Sequence, residues 1–419
     1  MVYFAPGKTT IMEDFNINTA DTLLISIFVL FIGDFVTRRM TWLDRYSIPR
    51  AVTGGLLMSL LVLALIHFAG IRLVFDLTLR DALLLAFFST IGLSAKLARL
   101  KAGGRPLVIL VICAAVFLFL QNLTGVLLNL MMGSHPAYGV FAGSASFAGG
   151  HGTAIAWGQE AEAAGLEGAS LIGIAFATFG LVAGGVLGGP IGEWLIRKNN
   201  LSSESNDDQP MMSQKDSERT LEPVKMKRTL TTVAILAICI SAGNVVNHLF
   251  ADHGLKLPGF LTAMMIGIII TNLADVLKKE VRQRDFDKVG EVALQLFLAM
   301  SLMSMDLNSL AGQMGMVFFV LMVQIVVVTV FATFIVFRLM GKSYDAAVIA
   351  AGFLGLGLGA TPVAIANMNA ISQKYGPSFK AFLVIPLVGA FFIDLLNAVI
   401  IKWFFGLPIM QRGVEALNF

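Results

Sequence analysis

The sequence predicts an all-α polytopic membrane protein made of two inverted-topology repeats, each with five transmembrane helices and one re-entrant hairpin. Composition is the first indication, because 57% of the residues are hydrophobic and 14% are charged, with a mean hydropathy of +0.80. Soluble globular domains carry about 25% charged residues. The second is a series of apolar stretches that are long enough to cross a bilayer. The third is a match of the chain to itself at an offset of about 208 residues, with a glycine-rich interruption in each half.

The apolar stretches divide the chain into two similar halves. In residues 1–198, the predicted N-terminal repeat, spans lie near 20–36, 50–69, 81–95, 106–131 and 169–196. In residues 229–406, the predicted C-terminal repeat, spans lie near 229–250, 258–277, 290–305, 314–338 and 380–405. The two interrupted segments, about 137–160 and 345–370, are predicted to be re-entrant hairpins. Between the repeats, residues 199–228 form a polar, aperiodic stretch that predicts a flexible cytoplasmic linker, and residues 407–419 form a C-terminal tail.

Charge distribution predicts the orientation of these spans. Lysine and arginine concentrate on alternate loops, and cytoplasmic loops are the ones enriched in these residues. Of the 30 basic residues, the opposite loops hold Lys8, Arg72, Arg80, Lys256, Lys402 and Arg412. Both termini are therefore predicted to lie outside. Five crossings per half is an odd number, so the second half must be inverted relative to the first, and the two hairpins enter the membrane from opposite faces.

The second interruption is the most informative segment. Gly355, Gly357 and Gly359 fall within five residues, and glycine weakens a helix interior by about 1 kcal/mol relative to alanine. The three glycines therefore predict unwound backbone. Thr361 and Pro362 follow as a predicted helix start, with threonine as the N-cap and proline at the first helical position. A broken segment followed by a helix N-terminus at membrane depth is typical of a transporter binding site.

The first interruption matches the second. Gly149 aligns with Gly357 and Thr153 with Thr361. A helix N-terminus presents free N–H groups and a partial positive charge. Two such ends, predicted at Thr153 and Thr361, would bind a carboxylate without any arginine. The alternative is that the glycines serve close helix packing.

Asp394 is the acid that lies deep inside an otherwise apolar predicted span. An intramembrane carboxylate is energetically costly and indicates function by default. It would ligate Na⁺, carry H⁺ or meet a substrate ammonium group; the alternative is a protonated or helix-capping aspartate. Asn397, three residues on, lies on the same helical face.

Four further polar residues each have more than one interpretation. Asn367 is a ligand or a cap, and His151 binds substrate, senses pH or makes a structural hydrogen bond. In the fourth span, Gln121 and Asn122 are predicted to bridge helices rather than to bind a ligand. The Gly180-xxx-Gly184-xxx-Gly188 pattern predicts close helix packing.

Other function classes lack support in the sequence. No zinc-ligand spacing, His-Glu-x-x-His motif or Gly-x-Ser-x-Gly motif is present, so the protein is not predicted to be an enzyme. Gly355-x-Gly357-x-x-Ala360 mimics a dinucleotide fingerprint without the preceding strand. Cys113 and Cys239 lie in apolar runs and are predicted to be packing residues. The formal charge is +3, and the charged residues are distributed according to the predicted membrane topology. The charge therefore gives no indication of a nucleic-acid partner.

At the two interruptions the chain resembles the bacterial sodium/glutamate symporters (the GltS, or ESS, family). The resemblance is carried by Gly149-Gly-His-Gly-Thr153, by Gly357-Leu-Gly-Ala-Thr-Pro362 and by Val388-Gly-Ala-Phe-Phe-Ile-Asp394. It extends over about residues 20–406. It implies Na⁺-coupled uptake of L-glutamate across the bacterial inner membrane by a homodimer, with Na⁺ as the coupling ion. It also implies a fold related to the citrate:sodium symporters and an elevator-type movement of a core against a scaffold.

The resemblance also implies the position of the site. The residues expected to bind substrate are Gly149, Gly150, His151, Gly152, Thr153, Gly357, Gly359, Ala360, Thr361 and Asp394. The residues expected around Na⁺ are Gly357, Asn367, Asp394 and Asn397. Rival hypotheses are a Na⁺- or H⁺-coupled carrier of another carboxylate, such as citrate, malate or aspartate, and a passive anion channel.

Overall fold

A computed structural model describes residues 13–41, 43, 48–96, 100–203, 226–252, 257–279, 282–305 and 314–411. The first half contains β1 (Glu13–Ile17), α1 (Thr19–Arg39), α2 (Arg50–Ala69), β2 (Ile71–Phe75), α3 (Thr78–Ser94) and α4 (Leu100–Met131). It continues with α5 (Tyr138–Phe141), α6 (Ser144–Phe147), α7 (Gly150–Ala163) and α8 (Ala169–Lys198). Most of the predicted linker, residues 204–225, lies outside the described residues, as does the end of the predicted tail.

The second half of the chain is also helical. It contains α9 (Met226–Asp252), α10 (Gly259–Val276), α11 (Gln283–Met303) and α12 (Met314–Phe331), which runs through a π-helical turn (Ala332–Val336) into α13 (Phe337–Leu339). The interrupted segment is α14 (Tyr344–Leu358) and α15 (Thr361–Tyr375). The last helix is α16 (Phe379–Leu387), a π-helical turn (Val388–Phe392) and α17 (Ile393–Phe405), before a 3₁₀ turn (Pro408–Gln411).

The helices coincide with the predicted spans to within a few residues at most ends. Seven helical segments are long and apolar enough to cross a membrane: Thr19–Arg39, Arg50–Ala69, Gly104–Met131, Ala169–Lys198, Arg228–Asp252, Gly259–Val276 and Gly315–Leu339. The chain is therefore a mostly helical, multi-pass membrane protein. The other three predicted spans correspond to α3, α11 and the α16–α17 helix, and their crossing of the membrane stays a prediction. At α4 the apolar part begins after Gly104, where a positive φ of 54° breaks the helix.

The helices pack into two groups. Helices α1, α2 and α3 pack on α9, α10 and α11, which we call the scaffold. Glycines allow close approach there: a Cβ atom on Gly54 would lie 2.0 Å from the Val29 carbonyl oxygen, and one on Gly92 would lie 2.1 Å from that of Met264. The core consists of both interrupted segments packed with α4, α8, α12 and the α16–α17 helix. Its interior is filled by large buried side chains, including Phe117 and Trp157.

A small parallel sheet was not predicted. Strand β1 pairs with β2 over five residues, from Glu13 opposite Ile71 to Ile17 opposite Phe75. Asp76 follows β2 and accepts hydrogen bonds from the Thr19 hydroxyl and from the Thr78 N–H and hydroxyl. The bond from Thr19, followed by those from Thr78, lowers the pKa of Asp76 to about 2. Strands of five residues flanked by long helices give little periodic signal in sequence.

Candidate functional site

The second interruption is shorter than predicted. Helix α14 continues through Gly355 and Gly357 to Leu358, so the prediction of unwound backbone at these two glycines is wrong. The chain breaks at Gly359, which has φ −153° and ψ −95°, and at Ala360, which is extended. The two earlier glycines serve close contact instead: a Cβ atom on Gly355 would lie 2.5 Å from the Ala364 nitrogen, and one on Gly357 would lie 2.8 Å from the Phe117 ring. Packing thus outweighs the low helix propensity of glycine.

Helix α15 begins one residue away from the predicted cap. Ala360 is the N-cap, with φ −164° and ψ 166°, and Thr361 is the first helical residue. The prediction of Thr361 as N-cap is therefore wrong by one position. Pro362 does lie in the first turn. The N–H groups of Thr361 and Val363 fall at helix positions that have no partner within the helix.

The first interruption is longer, because α5, α6 and α7 are separate short helices. Helix α7 begins at Gly150 with Gly149 as its N-cap, so the predicted start at Thr153 is wrong by three residues. Gly150 has a φ of +67°, a left-handed conformation that other L-residues adopt only with strain. The N–H groups of Gly150, His151 and Gly152 are the ones left without a helical partner.

The two helix starts lie against each other. A Cβ atom on Gly150 would point to within 3.8 Å of the Gly359 carbonyl oxygen. Neither interrupted segment contains a lysine or arginine over residues 137–160 and 345–370. Positive potential for an anion at this point therefore comes from the two helix ends.

The first tip also faces the scaffold. A Cβ atom on Gly152 would lie 3.3 Å from both the Phe87 ring on α3 and the Leu294 side chain on α11. The meeting point of the tips is therefore at the boundary between core and scaffold.

The last helix contacts both interrupted segments, one on each side of Asp394. Asn397 is fully buried, donates to the Ser144 carbonyl at 3.0 Å and accepts from the Ser144 hydroxyl at 2.5 Å. In the π-helical turn before Asp394, a Cβ atom on Gly389 would lie 2.4 Å from the Thr361 hydroxyl oxygen. Asp394 lies between these contacts and is half-buried. Its carboxylate has no hydrogen bond or ion pair within the part of the chain that the structure describes.

Two of the predicted site residues make contacts that hold helices together. Asn367 is buried and donates to the Gly184 carbonyl at 3.0 Å and, more weakly, to that of Ala351 at 3.4 Å. Its amide thus braces α15 against α8. The His151 ring lies 3.0 Å from the Thr178 hydroxyl on α8 and is buried, which favours the structural interpretation of this histidine.

The glycine stripe on α8 packs as predicted. Cβ atoms on Gly180, Gly184 and Gly188 would lie 2.4 Å from the Leu358 carbonyl oxygen, 3.2 Å from the Leu358 side chain and 2.0 Å from the Asn367 amide, respectively. The prediction of close helix packing is confirmed, and its partner is the second interrupted segment.

Buried side-chain amides form hydrogen bonds with backbone groups of the two interrupted segments. Gln121 donates to the Gly357 carbonyl at 2.8 Å, and Asn122 accepts from the Ser144 N–H at 2.7 Å. The prediction that these two residues bridge helices is confirmed. Gln324 on α12 donates to the carbonyls of Gln121 and Ala142 at 2.8 and 2.9 Å. Backbone groups at membrane depth need such partners.

Gln324 was missed by the sequence analysis. It is a lone amide in the apolar run of α12 and is fully buried. That isolation in a span was the available signal, since polar side chains inside a bilayer cost free energy unless they are bonded.

Comparison with known proteins assigns this architecture to a family. The family model described as sodium/glutamate symporter matches residues 15–377. The chain is 41% identical over 397 residues to the sodium/glutamate symporter of Escherichia coli (strain K12), covering 94% of this chain and 99% of that protein. It is 40% identical over 396 residues to the sodium/glutamate symporter of Haemophilus influenzae, covering 93% and 97%. The chain therefore belongs to the sodium/glutamate symporter family.

Proposed function

We propose that the protein is a secondary transporter that carries L-glutamate together with Na⁺ across the bacterial inner membrane. The observation that carries this proposal is the meeting of two helix N-termini at Gly150 and Gly359, in segments without lysine or arginine and at the boundary between two groups of helices. Membership of the family supports the choice of substrate and ion, because its matched members are sodium/glutamate symporters. The family is one of transporters, so no enzymatic activity is proposed.

Glutamate has two carboxylates and one ammonium group, and the tips offer a partner for each. The N–H groups of Gly150, His151 and Gly152 would bind one carboxylate, with Gly149 and Thr153 completing the first tip. The N–H groups of Thr361 and Val363 and the Thr361 hydroxyl would bind the other, with Gly359 and Ala360 forming the turn. The ammonium group would meet the carboxylate of Asp394.

Oxygen ligands are available for Na⁺ in the same region. Asp394 has no partner among the described residues, whereas the oxygens of Gly357 and Asn397 already accept one hydrogen bond each. A carbonyl oxygen has two lone pairs, so these two remain able to contact the ion. The Asn367 amide nitrogen is bonded to α8, and its oxygen is the atom that would contribute. Asp394 is therefore the principal candidate.

The packing suggests how access would alternate. The two repeats are proposed to be inverted, with both termini outside, so that their hairpins reach the site from opposite faces. We further propose an elevator-type mechanism in which the core moves along the scaffold, and a homodimer held through the scaffold. The close contacts of Gly54 and Gly92 within the scaffold support its rigidity.

Uptake into proteoliposomes tests this function. The purified protein is reconstituted, and radiolabelled L-glutamate accumulation is measured under an imposed Na⁺ gradient or an equal H⁺ gradient. Accumulation with Na⁺ alone, lost in Asp394→Asn, is expected. Accumulation driven by H⁺ alone would favour a different coupling ion. No accumulation under either gradient would contradict the glutamate assignment, and equilibration without accumulation would indicate a passive channel.

A further inference from the structure

A cleft at one end of α1, α2 and α11 has no role in the proposed transport site. Its volume is about 670 Å³. Leu30 and Phe31 form its apolar part, and Arg38, Arg50 and Glu291 are among its charged lining residues. It lies in the scaffold, and none of its lining residues belongs to the two interrupted segments.

Charged groups line the cleft with both signs. The Asp34 carboxylate lies 2.8 Å from Arg38 Nε and 2.7 Å from Arg50 Nη1. The arginine side chains are 73% and 57% exposed, and each guanidinium has five N–H donors. Donors therefore remain for a second anion. Glu291 is exposed on α11, and its carboxylate has no ion pair within the described part of the chain.

The adjoining surface of α1 is apolar. Leu24, Phe28, Phe31 and Phe35 recur at a spacing of three or four residues and are 52% to 66% exposed. Residues at this spacing form one stripe along a helix. From Thr19 to Arg38, α1 extends about 29 Å at 1.5 Å per residue, close to the roughly 30 Å hydrocarbon thickness of a bilayer. Arg38 therefore lies at the depth where a hydrocarbon surface gives way to lipid headgroups.

We propose that this cleft binds a phospholipid with a phosphoethanolamine headgroup. The phosphate lies between Arg38 and Arg50, the ammonium group meets Glu291, and an acyl chain follows the stripe past Phe31. Charge complementarity selects this headgroup, because two arginines and two carboxylates match a zwitterion with one phosphate and one ammonium. A phosphoglycerol headgroup leaves Glu291 without a cation, and a phosphocholine headgroup has no N–H to donate to it.

Native mass spectrometry of the full-length protein tests the proposal. The protein is released from vesicles that contain equal amounts of phosphatidylethanolamine, phosphatidylglycerol and phosphatidylcholine, and retained lipids are identified. Phosphatidylethanolamine is expected to be the lipid retained. Arg38→Ala should lower its retention about tenfold, the loss expected for one charge-assisted hydrogen bond between a guanidinium group and the phosphate. Glu291→Gln should lower the preference over phosphatidylglycerol by a similar factor.

Arg39→Ala is the matched control, because Arg39 is the next residue on α1 and stacks on Phe35 without lining the cleft. It should leave lipid retention unchanged, and equal loss in Arg38→Ala and Arg39→Ala would overturn the proposal. A preference for phosphatidylglycerol, or selectivity that Glu291→Gln leaves intact, would also overturn it. A lipid-free dimer that dissociates in Arg38→Ala would instead assign the cleft to a second copy of the chain.

Discussion

At the scale of single residues, the conformation of Gly150 sets the geometry of the proposed substrate site. Its left-handed backbone turns the first interrupted segment into α7, and its missing side chain leaves room beside the Gly359 carbonyl. Thr361 depends in the same way on Gly389, where any side chain would displace the threonine hydroxyl. Glycine is thus required at position 150 by the backbone conformation and at position 389 by space.

Gly150→Ala is expected to raise the KM for glutamate. The left-handed conformation costs an alanine about 1 to 2 kcal/mol, and the added methyl group enters the space between the tips. Gly133→Ala is the matched control, because Gly133 has a φ of +71° with no atom within 4 Å of the added Cβ. Both variants should lower thermal stability by similar amounts in a melting assay. Only Gly150→Ala should raise KM in an uptake assay, and an equal effect of both on KM would contradict this role.

At the scale of elements, the interrupted segments are held by amides from the neighbouring helices. Gln324 on α12 bonds to Ala142 in the first segment and to the backbone of Gln121, whose side chain bonds to Gly357 in the second. These bonds link the two interrupted segments through α4 and α12. A shift of one segment is therefore expected to reach the other through these amides as well as through the contact between the tips.

Gln324→Leu is expected to weaken glutamate binding while leaving the chain folded in the membrane. The change removes the Gln324 donor from the buried Ala142 carbonyl, and an unpaired buried carbonyl costs about 1 to 3 kcal/mol. The Gln121 carbonyl loses its bond to Gln324 but lies inside α4 and keeps its helical hydrogen bond. KM for glutamate should rise, and the Na⁺ concentration needed for half-maximal uptake should rise with it. Thr124→Val is the control, since among the described residues the Thr124 hydroxyl bonds within its own helix, to the Leu120 carbonyl. Unchanged KM and Na⁺ dependence in Gln324→Leu would exclude the coupling of the two segments.

The sequence predicted the spans better than the details of the site. Long apolar stretches mark helices directly, which is why α1, α2 and α8 begin within a residue of the prediction. The start of α7 and the continuity of α14 depend on which neighbour each glycine touches. Such contacts connect residues far apart in the chain, as between Gly357 and Phe117. The sequence around a single glycine therefore cannot predict them.

At the scale of the whole molecule, the proposed transport cycle requires the core to move relative to the scaffold. The first tip contacts the scaffold through Gly152, close to Leu294 on α11. Within the core, Gly184 on α8 contacts Leu358. A cross-link at the first contact would block movement of the core relative to the scaffold. A cross-link at the second would restrict movement within the core alone.

Paired cysteines test that movement. In a background lacking Cys113 and Cys239, a disulfide between Gly152→Cys and Leu294→Cys is expected to abolish uptake, and reduction should restore it. A disulfide between Gly184→Cys and Leu358→Cys lies within the core and should leave uptake largely intact. A Cβ atom on Gly184 would lie 3.2 Å from Leu358 Cβ, close to the separation in a disulfide, and a Cβ atom on Gly152 would lie 3.3 Å from Leu294 Cδ1. Full uptake with the first pair oxidised would contradict relative movement of core and scaffold.

The central claim is that one site, formed by the two tips and Asp394, binds glutamate and Na⁺ together. Equilibrium binding of L-glutamate at increasing Na⁺ concentration tests it most directly, in the wild-type protein and in Asp394→Asn. Because coupling between two ligands is reciprocal, Na⁺ should tighten glutamate binding and glutamate should tighten Na⁺ binding by the same factor. This mutual effect should vanish in Asp394→Asn while the protein remains folded. Glutamate binding that keeps its full Na⁺ dependence in Asp394→Asn would contradict the account.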